Sequence, residues 1–425
     1  MNTFEKYQKY INTHPLTALM PFVIDSAKDI YYTTEEGIQF IDCFSGVSVV
    51  NTGHSNPSVN AAVIAQLDKL THCCSYLYPL KPVADCAEKL AQITPGGLSK
   101  SFFGSSGAEA IEGAIRLAKQ YKRSSGALSL SYSFHGRTNA ALSVSGLGNK
   151  KKGGHSYAPG VTILPAPYHY RSPLAGKNAA ETAENCINYT ADLLKHQNSD
   201  DIAFFIAEPI LGEGGIIVPP DNYFRLLKEV LDFYGILFIA DEVQTGFART
   251  GSFFACEAYQ IVPDILVMAK GIANGLPLSC FISNEKIAAA FEPGDHLSTF
   301  GGNPVCCAAA IANIDFIEKQ KLCEAVAKKG VFFLELLKHT LRDCKLIGEI
   351  RGKGLMIGCE IVRDAKEPAV KEALQIRDYC MAKGILLGVG GAFGNVVRIQ
   401  PPLTIEEDQL TQVCDTLKAA LMSLN

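Results

Sequence analysis

The sequence lacks the cysteine spacing of a zinc site or a disulfide framework, although it contains 14 cysteines. No C-x-x-C pair occurs, and the pairs Cys73–Cys74 and Cys306–Cys307 are adjacent in the chain. Both observations argue against a metal site and against a stapled secreted fold. The opening residues, MNTFEKYQKY, contain no apolar signal core. We therefore expect reduced, mostly buried thiols in a cytoplasmic protein without a metal site.

Long apolar runs and an excess of positive charge are also absent. No stretch of transmembrane length is free of charged residues, which predicts no membrane partner. The 39 Lys and Arg residues are outnumbered by 43 Asp and Glu residues, so the composition does not suggest a nucleic-acid partner. The only tight basic cluster is Lys150 to Lys152, and we expect a solvated loop there. No G-x-G-x-x-G motif opens a strand–helix unit, which disfavours a nucleotide-binding dehydrogenase.

Short apolar runs alternate with helical patterns through the middle of the chain. In the helical segment GAEAIEGAIRLAKQY, Ile111, Ala114, Ile115 and Ala118 fall on one helix face. Continuous apolar strands that are separated by helices indicate an α/β fold, with a mostly parallel sheet covered on both faces. The predicted strands of this sheet are 101–103, 127–130, 202–207, 236–240 and 264–268.

The last part of the chain changes character. It contains long helical patterns and a few more loosely spaced strands, at 384–389 and 396–399. We predict a large domain at 50–310 and a smaller α+β domain at 311–425. Segment 1–49 is predicted to join the small domain, because DIYYTTEEGIQFIDC is typical of a β-hairpin with a glycine turn.

Three ionisable side chains directly follow apolar strands of the predicted sheet. Glu208 follows IAFFIA, Asp241 follows ILFIA, and Lys270 follows ILVMA. In an open α/β sheet, ligands bind beyond the carboxyl ends of the strands. One such residue alone is more often the polar edge of a strand, but three in one sheet indicate a site. A carboxylate at the end of a buried strand also needs a cation to offset its desolvation, which raises the question of what pairs with Asp241.

Two further segments add candidate contacts at the same edge of the sheet. FFGSSGAEAIEGA combines a strand, a turn of small residues and a helix start, where unpaired backbone N–H groups can bind a phosphate. Such a turn needs small residues in any case, so this signal is weak by itself. In SFHGRT, Phe134 and His135 could present a flat face, with core packing as the alternative.

Together these groups match the requirements of pyridoxal 5'-phosphate. This cofactor needs a phosphate anchor, an aromatic face, a lysine for the Schiff base and a carboxylate that keeps its pyridine nitrogen protonated. The cation that faces Asp241 would then be the pyridinium, whose pKa the carboxylate raises.

The sequence resembles the class III, or ω-amino-acid, aminotransferases of fold type I, and within them the 4-aminobutyrate aminotransferases. The resemblance covers nearly the whole chain, and it implies an amino-group transfer from an ω-amino acid to 2-oxoglutarate or pyruvate by a ping-pong mechanism. It also implies a homodimer or a dimer of dimers. The segments that carry it are GVSVVNTGHSNPSV, GSSGAEAIEGAIRLAK, SFHGRTNAALS, AEPILGEGGIIVPP, ADEVQTGFARTG, MAKGIANGLPLS, STFGGNPVCCAAA and GNVVRIQPPLTI.

The resemblance implies the following cofactor contacts. Lys270 would form the Schiff base and carry the proton, and Asp241 would pair with the pyridine nitrogen. Phe134 and Val243 would cover the two faces of the ring, and Gln244 would reach its phenolic oxygen. The remaining cofactor contacts would come from Ser106, Gly107, Ala108, His135 and, from the neighbouring subunit, Thr299.

The resemblance also implies the substrate contacts. Arg398 would bind the α-carboxylate of an amino or keto acid, and Glu208 would pair with Arg398 when no α-carboxylate is present. Arg137 would bind the distal carboxylate, and Val47 would lie beside the substrate. The GEGG loop around Glu213 is expected to serve loop geometry only.

Two alternatives share this scaffold. HGRT also occurs in ornithine and acetylornithine aminotransferases, and APYHYRSPLAG occurs in variant form in relatives that include amino-acid racemases. A racemase or epimerase would protonate Cα from both faces instead of releasing a keto acid. A non-catalytic relative is disfavoured, because Lys270 is present.

Overall fold

The computed structural model describes residues 1–12, 19–153, 157–196 and 201–424. Its strands are β1 (Ile24–Lys28), β2 (Tyr31–Thr34), β3 (Gln39–Asp42), β4 (Lys100–Gly104), β5 (Gly126–Leu130), β6 (Val161–Leu164), β7 (Ile202–Ala207), β8 (Leu237–Asp241), β9 (Ile265–Met268), β10 (Ser279–Ser283), β11 (Ile347–Lys353), β12 (Met356–Ile361), β13 (Ile385–Leu386), β14 (Gly388–Gly390) and β15 (Val396–Ile399).

The helices connect and cover these strands. They are α1 (Thr3–Tyr10), α2 (Ser45–Ser48), α3 (Pro57–Leu67), α4 (Lys81–Ile93), α5 (Gly107–Lys122), α6 (Asn139–Val144), α7 (Ala179–His196), α8 (Tyr223–Tyr234), α9 (Ala255–Ala258), α10 (Glu285–Ala288), α11 (Pro304–Lys319), α12 (Leu322–Leu341), α13 (Val370–Ala382) and α14 (Glu407–Met422). Short 3₁₀ helices lie at Pro95–Gly97, Gly148–Lys150, Lys270–Ile272 and Asp364–Lys366. No described helix is both long enough and apolar enough to cross a bilayer.

The central sheet has seven strands in the order β4-β10-β9-β8-β7-β5-β6. All run parallel except β10, which is antiparallel to both of its neighbours. Alternate residues of β7 enter two different cores: Phe205 and Ala207 join one, and Phe204 and Ile206 the other. The sheet is therefore covered on both faces, and the predicted α/β architecture is confirmed.

The register of the central strands aligns their carboxyl ends. Ala207 at the end of β7 lies opposite Ala240 of β8, and Asp241 lies opposite Val267 of β9. Because parallel strands end at one edge, the residues that follow β7, β8 and β9 are brought to the same side of the sheet.

Two smaller sheets are built from both ends of the chain. The predicted hairpin forms β2 and β3 with Gly37 at φ +78°, and β3 pairs in parallel with β13. The second sheet has the order β11-β12-β15-β14. The single strand predicted at 384–389 is split at Leu387, because β13 pairs with β3 whereas β14 pairs with β15. The division into segments 1–49, 50–310 and 311–425 stays a proposal.

Candidate cofactor and substrate site

A cavity of about 510 Å³ lies at the carboxyl ends of β7, β8 and β9. This volume is typical of small-molecule pockets. Eleven of the fourteen predicted site residues line it: Ser106, Gly107, Ala108, Phe134, His135, Arg137, Glu208, Asp241, Val243, Gln244 and Lys270. A second cavity of about 600 Å³ lies beside α1, but Asp42 is the only charged residue among its described lining residues. The first cavity therefore holds the groups that can carry out chemistry.

Asp241 is fixed in the cavity by a buried hydrogen bond to His135. The distance from Asp241 Oδ2 to His135 Nδ1 is 2.7 Å, and Asp241 Oδ1 accepts the backbone N–H of Val243 at 3.1 Å. The other ring nitrogen of His135 lies 3.4 Å from Ser129 Oγ. A hydrogen bond through a ring nitrogen uses the edge of the imidazole, so His135 orients Asp241. The sequence predicted that His135 presents the flat face of its ring, and it did not predict this hydrogen bond to Asp241.

The start of α5 offers backbone donors to an anion. Ser106 caps the helix, and its hydroxyl accepts the N–H of Glu109 at 3.2 Å. Within the described part of the chain, the N–H groups of Gly107 and Ala108 have no protein acceptor. A Cβ at position 107 would lie 3.0 Å from Val243 Cγ1, so the close packing here favours glycine. Two free N–H groups at the positive end of a helix form a suitable site for a phosphate.

Lys270 lies two residues after the end of β9 and has a backbone φ of +43°, in the left-handed region. Burial lowers the pKa of its amine, although the charges of Glu213, Asp241 and Glu208 act in the opposite direction. A lowered pKa leaves more of the amine unprotonated and able to attack a carbonyl carbon.

Glu208 is buried and accepts two backbone hydrogen bonds. Its Oε1 accepts the N–H of Phe134 and its Oε2 accepts the N–H of Gly212, each at 2.9 Å. Burial and the charge of Asp241 raise the pKa of Glu208 to about 8, although both N–H groups and Lys270 lower it. The predicted ion pair between Glu208 and Arg398 is wrong in this structure, because Glu208 bonds to these two backbone N–H groups and Arg398 has another partner.

Arg398 pairs with Glu213 instead. Arg398 lies in β15, and its Nη1 is 2.8 Å from Glu213 Oε1. Its guanidinium carbon lies 5.0 Å from the centre of the Phe44 ring. Burial alone would raise the pKa of Glu213, but Arg398 and Lys150 lower it to about 2. The expectation that the GEGG loop around Glu213 has no role beyond its backbone shape is therefore wrong. The sequence did contain a signal for Glu213, because it is the single charged residue between Glu208 and Asp221.

Two cations flank the Phe134 ring at the mouth of the cavity. The guanidinium carbon of Arg137 lies 5.6 Å and Lys150 Nζ lies 5.9 Å from the ring centre. Lys150 Nζ is also 3.5 Å from Glu213 Oε2, and its side chain is only 16 % exposed. Lys151 Nζ donates to the Ser143 carbonyl at 2.9 Å. The expected solvated loop is therefore wrong for these two lysines.

The segment Ser45–Ser48 forms a left-handed turn at the edge of the site. Its φ angles are +51° at Ser45, +61° at Gly46, +69° at Val47 and +59° at Ser48. Asp42 Oδ1 accepts the N–H groups of Phe44 and Ser45, at 2.8 and 2.9 Å, and so holds the beginning of the turn. Val47 itself is not among the cavity-lining residues, although Val49 is.

Gln400, which follows β15, joins this turn to the cavity. Its Nε2 donates to Ser48 Oγ at 2.7 Å and to Gln244 Oε1 at 3.0 Å. The backbone carbonyl of Gln400 accepts a hydrogen bond from the Ser45 hydroxyl at 2.6 Å. Sequence reasoning missed Gln400, because its partners lie far away in the chain.

A buried network around Arg351 supports the loop that carries Glu213. Arg351 Nη2 donates to the Gly215 carbonyl at 2.6 Å, and Nε to the Ile216 carbonyl at 3.0 Å. Its Nη1 pairs with Glu349 at 2.6 Å and with Glu360 at 2.7 Å. Arg351 thus connects the sheet that contains β11 and β12 to the loop of Glu213.

Thr299 does not line the cavity of its own chain. It lies on an exposed loop beside the exposed side chains of Leu297 and Phe300. The Ser75 hydroxyl donates to the Gly301 carbonyl at 2.8 Å, which joins this loop to a second one. The apolar patch formed by the two loops contains Tyr76, Leu77, Tyr78, Leu297 and Phe300.

The residues of the cavity fit pyridoxal phosphate. They provide an amine of lowered pKa, a carboxylate held by a histidine and two unpaired N–H groups at a helix start. Phe134 and Val243 also line the cavity and can cover a planar ring.

The family model described as aminotransferase class-III matches residues 13–421. The chain is 38 % identical to an acetylornithine aminotransferase of Methanothermobacter thermautotrophicus, over 95 % of both chains. It is 37 % identical to a 4-aminobutyrate aminotransferase of Mycobacterium leprae, over 91 % of this chain and 87 % of that protein. It is also 37 % identical to a leucine/methionine racemase of Thermococcus litoralis, over 98 % and 94 %. The solved structure of a Bacillus anthracis aminotransferase superposes with a TM-score of 0.93 at 31 % identity, over 100 % of both chains.

Proposed function

The chain belongs to the class III aminotransferase family, and we propose that it moves the amino group of an ω-amino acid such as 4-aminobutyrate to 2-oxoglutarate or pyruvate. It is a transaminase that uses pyridoxal phosphate. The amino group is transferred in two half-reactions at one site, which is a ping-pong mechanism. The observation that carries the substrate proposal is the ion pair between Glu213 and Arg398.

When bound, pyridoxal phosphate supplies the carbonyl group that receives the amino group and the ring that takes up electrons. Lys270 would hold the cofactor and then move the proton at the reacting carbon. Asp241, oriented by His135, would keep the proton on the ring nitrogen. The N–H groups of Gly107 and Ala108 would bind the phosphate, and Gln244 would contact the phenolic oxygen.

Arg398 and Glu213 let one pocket accept two kinds of substrate. An ω-amino acid has no α-carboxylate, and Glu213 then neutralises Arg398, because a buried unpaired guanidinium would cost several kcal/mol. The α-carboxylate of 2-oxoglutarate replaces Glu213 through two parallel hydrogen bonds to the guanidinium. Arg137, exposed at the mouth of the cavity, binds the distal carboxylate.

Single-turnover measurements of each half-reaction test this proposal. Arg398→Ala is expected to slow the 2-oxoglutarate half-reaction by about 10⁴-fold and the ω-amine half-reaction much less. Glu213→Gln is expected to slow the ω-amine half-reaction more. Glu208→Gln is the control, because Glu208 contacts backbone amides and should not discriminate between the halves. Equal losses in both halves for the first two variants, or a wild type that accepts no ω-amine, would contradict the proposal.

Two alternatives, a racemase and an acetylornithine aminotransferase, are supported by relatives that are about as similar to this chain as the 4-aminobutyrate aminotransferase is. An aminotransferase releases a keto acid from a donor when no acceptor is present, whereas a racemase returns the amino acid with inverted configuration. A panel of ω- and α-amino donors, analysed both for keto acid and for the D and L forms, distinguishes the three activities.

We also propose a homodimer in the cytoplasm. The apolar patch beside Thr299 supports the dimer, because exposed patches of this kind mark protein interfaces. Thr299 would then reach the phosphate in the partner's site. Unpaired, mostly buried cysteines are consistent with a reducing compartment.

A further inference from the structure

Each oxygen of the Glu213 carboxylate has a different cation as its neighbour. Oε1 is 2.8 Å from Arg398 Nη1, and Oε2 is 3.5 Å from Lys150 Nζ. Arg398 comes from β15, whereas Lys150 ends the short helix Gly148–Lys150. We propose that Lys150 is a positioning residue that retains Glu213 when Glu213 releases Arg398, and that it thereby sets the affinity for substrates with an α-carboxylate. This inference rests on the proposed exchange of carboxylates at Arg398.

The exchange requires a second cation close to Glu213. When a substrate carboxylate occupies Arg398, Glu213 must leave, because two carboxylates on one guanidinium repel each other. Glu213 is largely buried, and an unpaired carboxylate in such a place is unfavourable. Lys270 also attracts Glu213, but the bound cofactor takes its amine. Lys150 remains as the cation to which Glu213 can stay bound.

The geometry allows this exchange without a long movement. Because the two oxygens of Glu213 face different cations, the carboxylate can leave Arg398 while it keeps its contact with Lys150. Lys150 is itself held in place, since its side chain is largely buried and its Nζ lies against the Phe134 ring.

The expected effect is a loss of affinity for carboxylates. Without the charge of Lys150, Glu213 keeps Arg398 as its main partner and releases it less readily. Lys150→Met should therefore raise the KM for 2-oxoglutarate and the Kd for glutarate by about five- to tenfold, the size of a typical coupling between two sites. Its effect on the ω-amine half-reaction should be smaller, and Lys150→Arg should restore most of the affinity.

The experiment uses the holoenzyme, with glutarate binding measured by calorimetry and the half-reactions by single turnover. Lys152→Met is the matched control, because it removes the same charge from an exposed neighbour in the same segment. The Lys150→Met effect should disappear in a Glu213→Gln background, where there is no carboxylate to retain.

Three results would overturn the inference: an unchanged glutarate Kd in Lys150→Met, an equal loss in Lys152→Met, or a loss that persists in the Glu213→Gln background. The last result would mean that Lys150 contacts the substrate directly. Failure of the proposed function is distinguishable, since a wild type that accepts no ω-amine still allows the glutarate measurements. A wild type that accepts ω-amines, with glutarate binding unaffected by Lys150→Met, would refute only the role of Lys150.

Discussion

At the scale of single residues, the hydrogen bond between His135 and Asp241 leads to a prediction about how tightly the cofactor binds. Without the imidazole, Asp241 would lose the hydrogen bond that holds its Oδ2, and a hydrogen bond to a charged group is worth about 1.5–3 kcal/mol. We expect His135→Ala to raise the Kd of pyridoxal phosphate by about ten- to a hundredfold. Absorbance titration of the cofactor measures this change.

The control for His135 is Ser129→Ala, which removes the 3.4 Å contact to the other ring nitrogen and a 3.2 Å contact to Ser133 Oγ, but leaves the bond to Asp241. Its effect on the cofactor Kd should be several times smaller. Equal cofactor affinity in wild type and His135→Ala would show that Asp241 needs no support.

Glu213 gives the folded chain a defined dependence on pH. Its folded-state pKa of about 2 lies below its ordinary value of 4.5, so the unfolded chain binds more protons between these values. The stabilisation is therefore complete above pH 4.5 and is lost as the pH falls towards 2. We expect urea unfolding to show wild type more stable than Glu213→Gln at pH 6, with a smaller difference at pH 3.5. A difference that is the same at both values would contradict the depressed pKa.

Residue identities at strand ends were predictable, but their partners were not. Lys270 and Asp241 were found because, together with Glu208, they follow three apolar runs of one predicted sheet, whereas a single such residue is more often the polar edge of a strand. The choice between Glu208 and Glu213 depends on which backbone N–H groups each carboxylate meets, and the resemblance did not settle that. A run of three lysines likewise does not show that Lys150 turns inward while Lys152 stays exposed.

At the scale of elements, the left-handed turn α2 is the most strained part of the site. Gly46 has φ +61°, and a Cβ there would meet Val49 Cβ only at an ordinary 3.8 Å, so space is not the obstacle. The obstacle is the backbone conformation, because the left-handed region costs an L-residue about 1–2 kcal/mol. We expect Gly46→Ala to lower the free energy of unfolding by about 1 kcal/mol, measured by urea titration.

Gly148→Ala is the matched control for this substitution. Gly148 has open space around its Cβ position and no positive φ, so its replacement should change the free energy of unfolding by less than about 0.5 kcal/mol. Similar losses in both variants would argue that strain in the turn is not the cause.

Strands were predictable where burial on both faces produces an uninterrupted run of apolar residues. β7 was predicted with its exact bounds, and β8 and β9 within one residue at each end, because each is a run of buried apolar residues. β6 and β10 were missed. β6 is mostly half-exposed, and β10 places a short apolar run between serines. The segment 384–389 is split because β13 pairs with β3 and β14 pairs with β15, and the local sequence pattern holds no information about these pairings.

At the scale of the whole molecule, the apolar patch beside Thr299 predicts how two chains associate. Phe300 is 63 % exposed and Leu77 is 64 % exposed, which is unfavourable in water unless another surface covers them. We expect Phe300→Glu to produce a monomer in sedimentation experiments. The variant should also bind the cofactor more weakly, since Thr299 would no longer reach the partner's phosphate site.

Phe233→Glu provides the comparison for this dimer test. Phe233 is 82 % exposed in α8 and lies outside the patch, so the same substitution there should leave the dimer intact. A monomeric wild type, or a Phe300→Glu monomer with normal cofactor affinity, would contradict the shared site, whereas a Phe300→Glu dimer would contradict the role of the patch.

The contact between Gln400 and Ser48 has a consequence for the time at which the enzyme becomes active. These residues are 352 positions apart, and the ribosome therefore makes Ser48 and Gln244 long before their common partner emerges. Lys270 and the start of α5, which we propose hold the cofactor, are also made before this partner. Arg398 follows more than a hundred residues after Lys270, together with Gln400. The part of the site that we propose selects the substrate is therefore the last part to be synthesised.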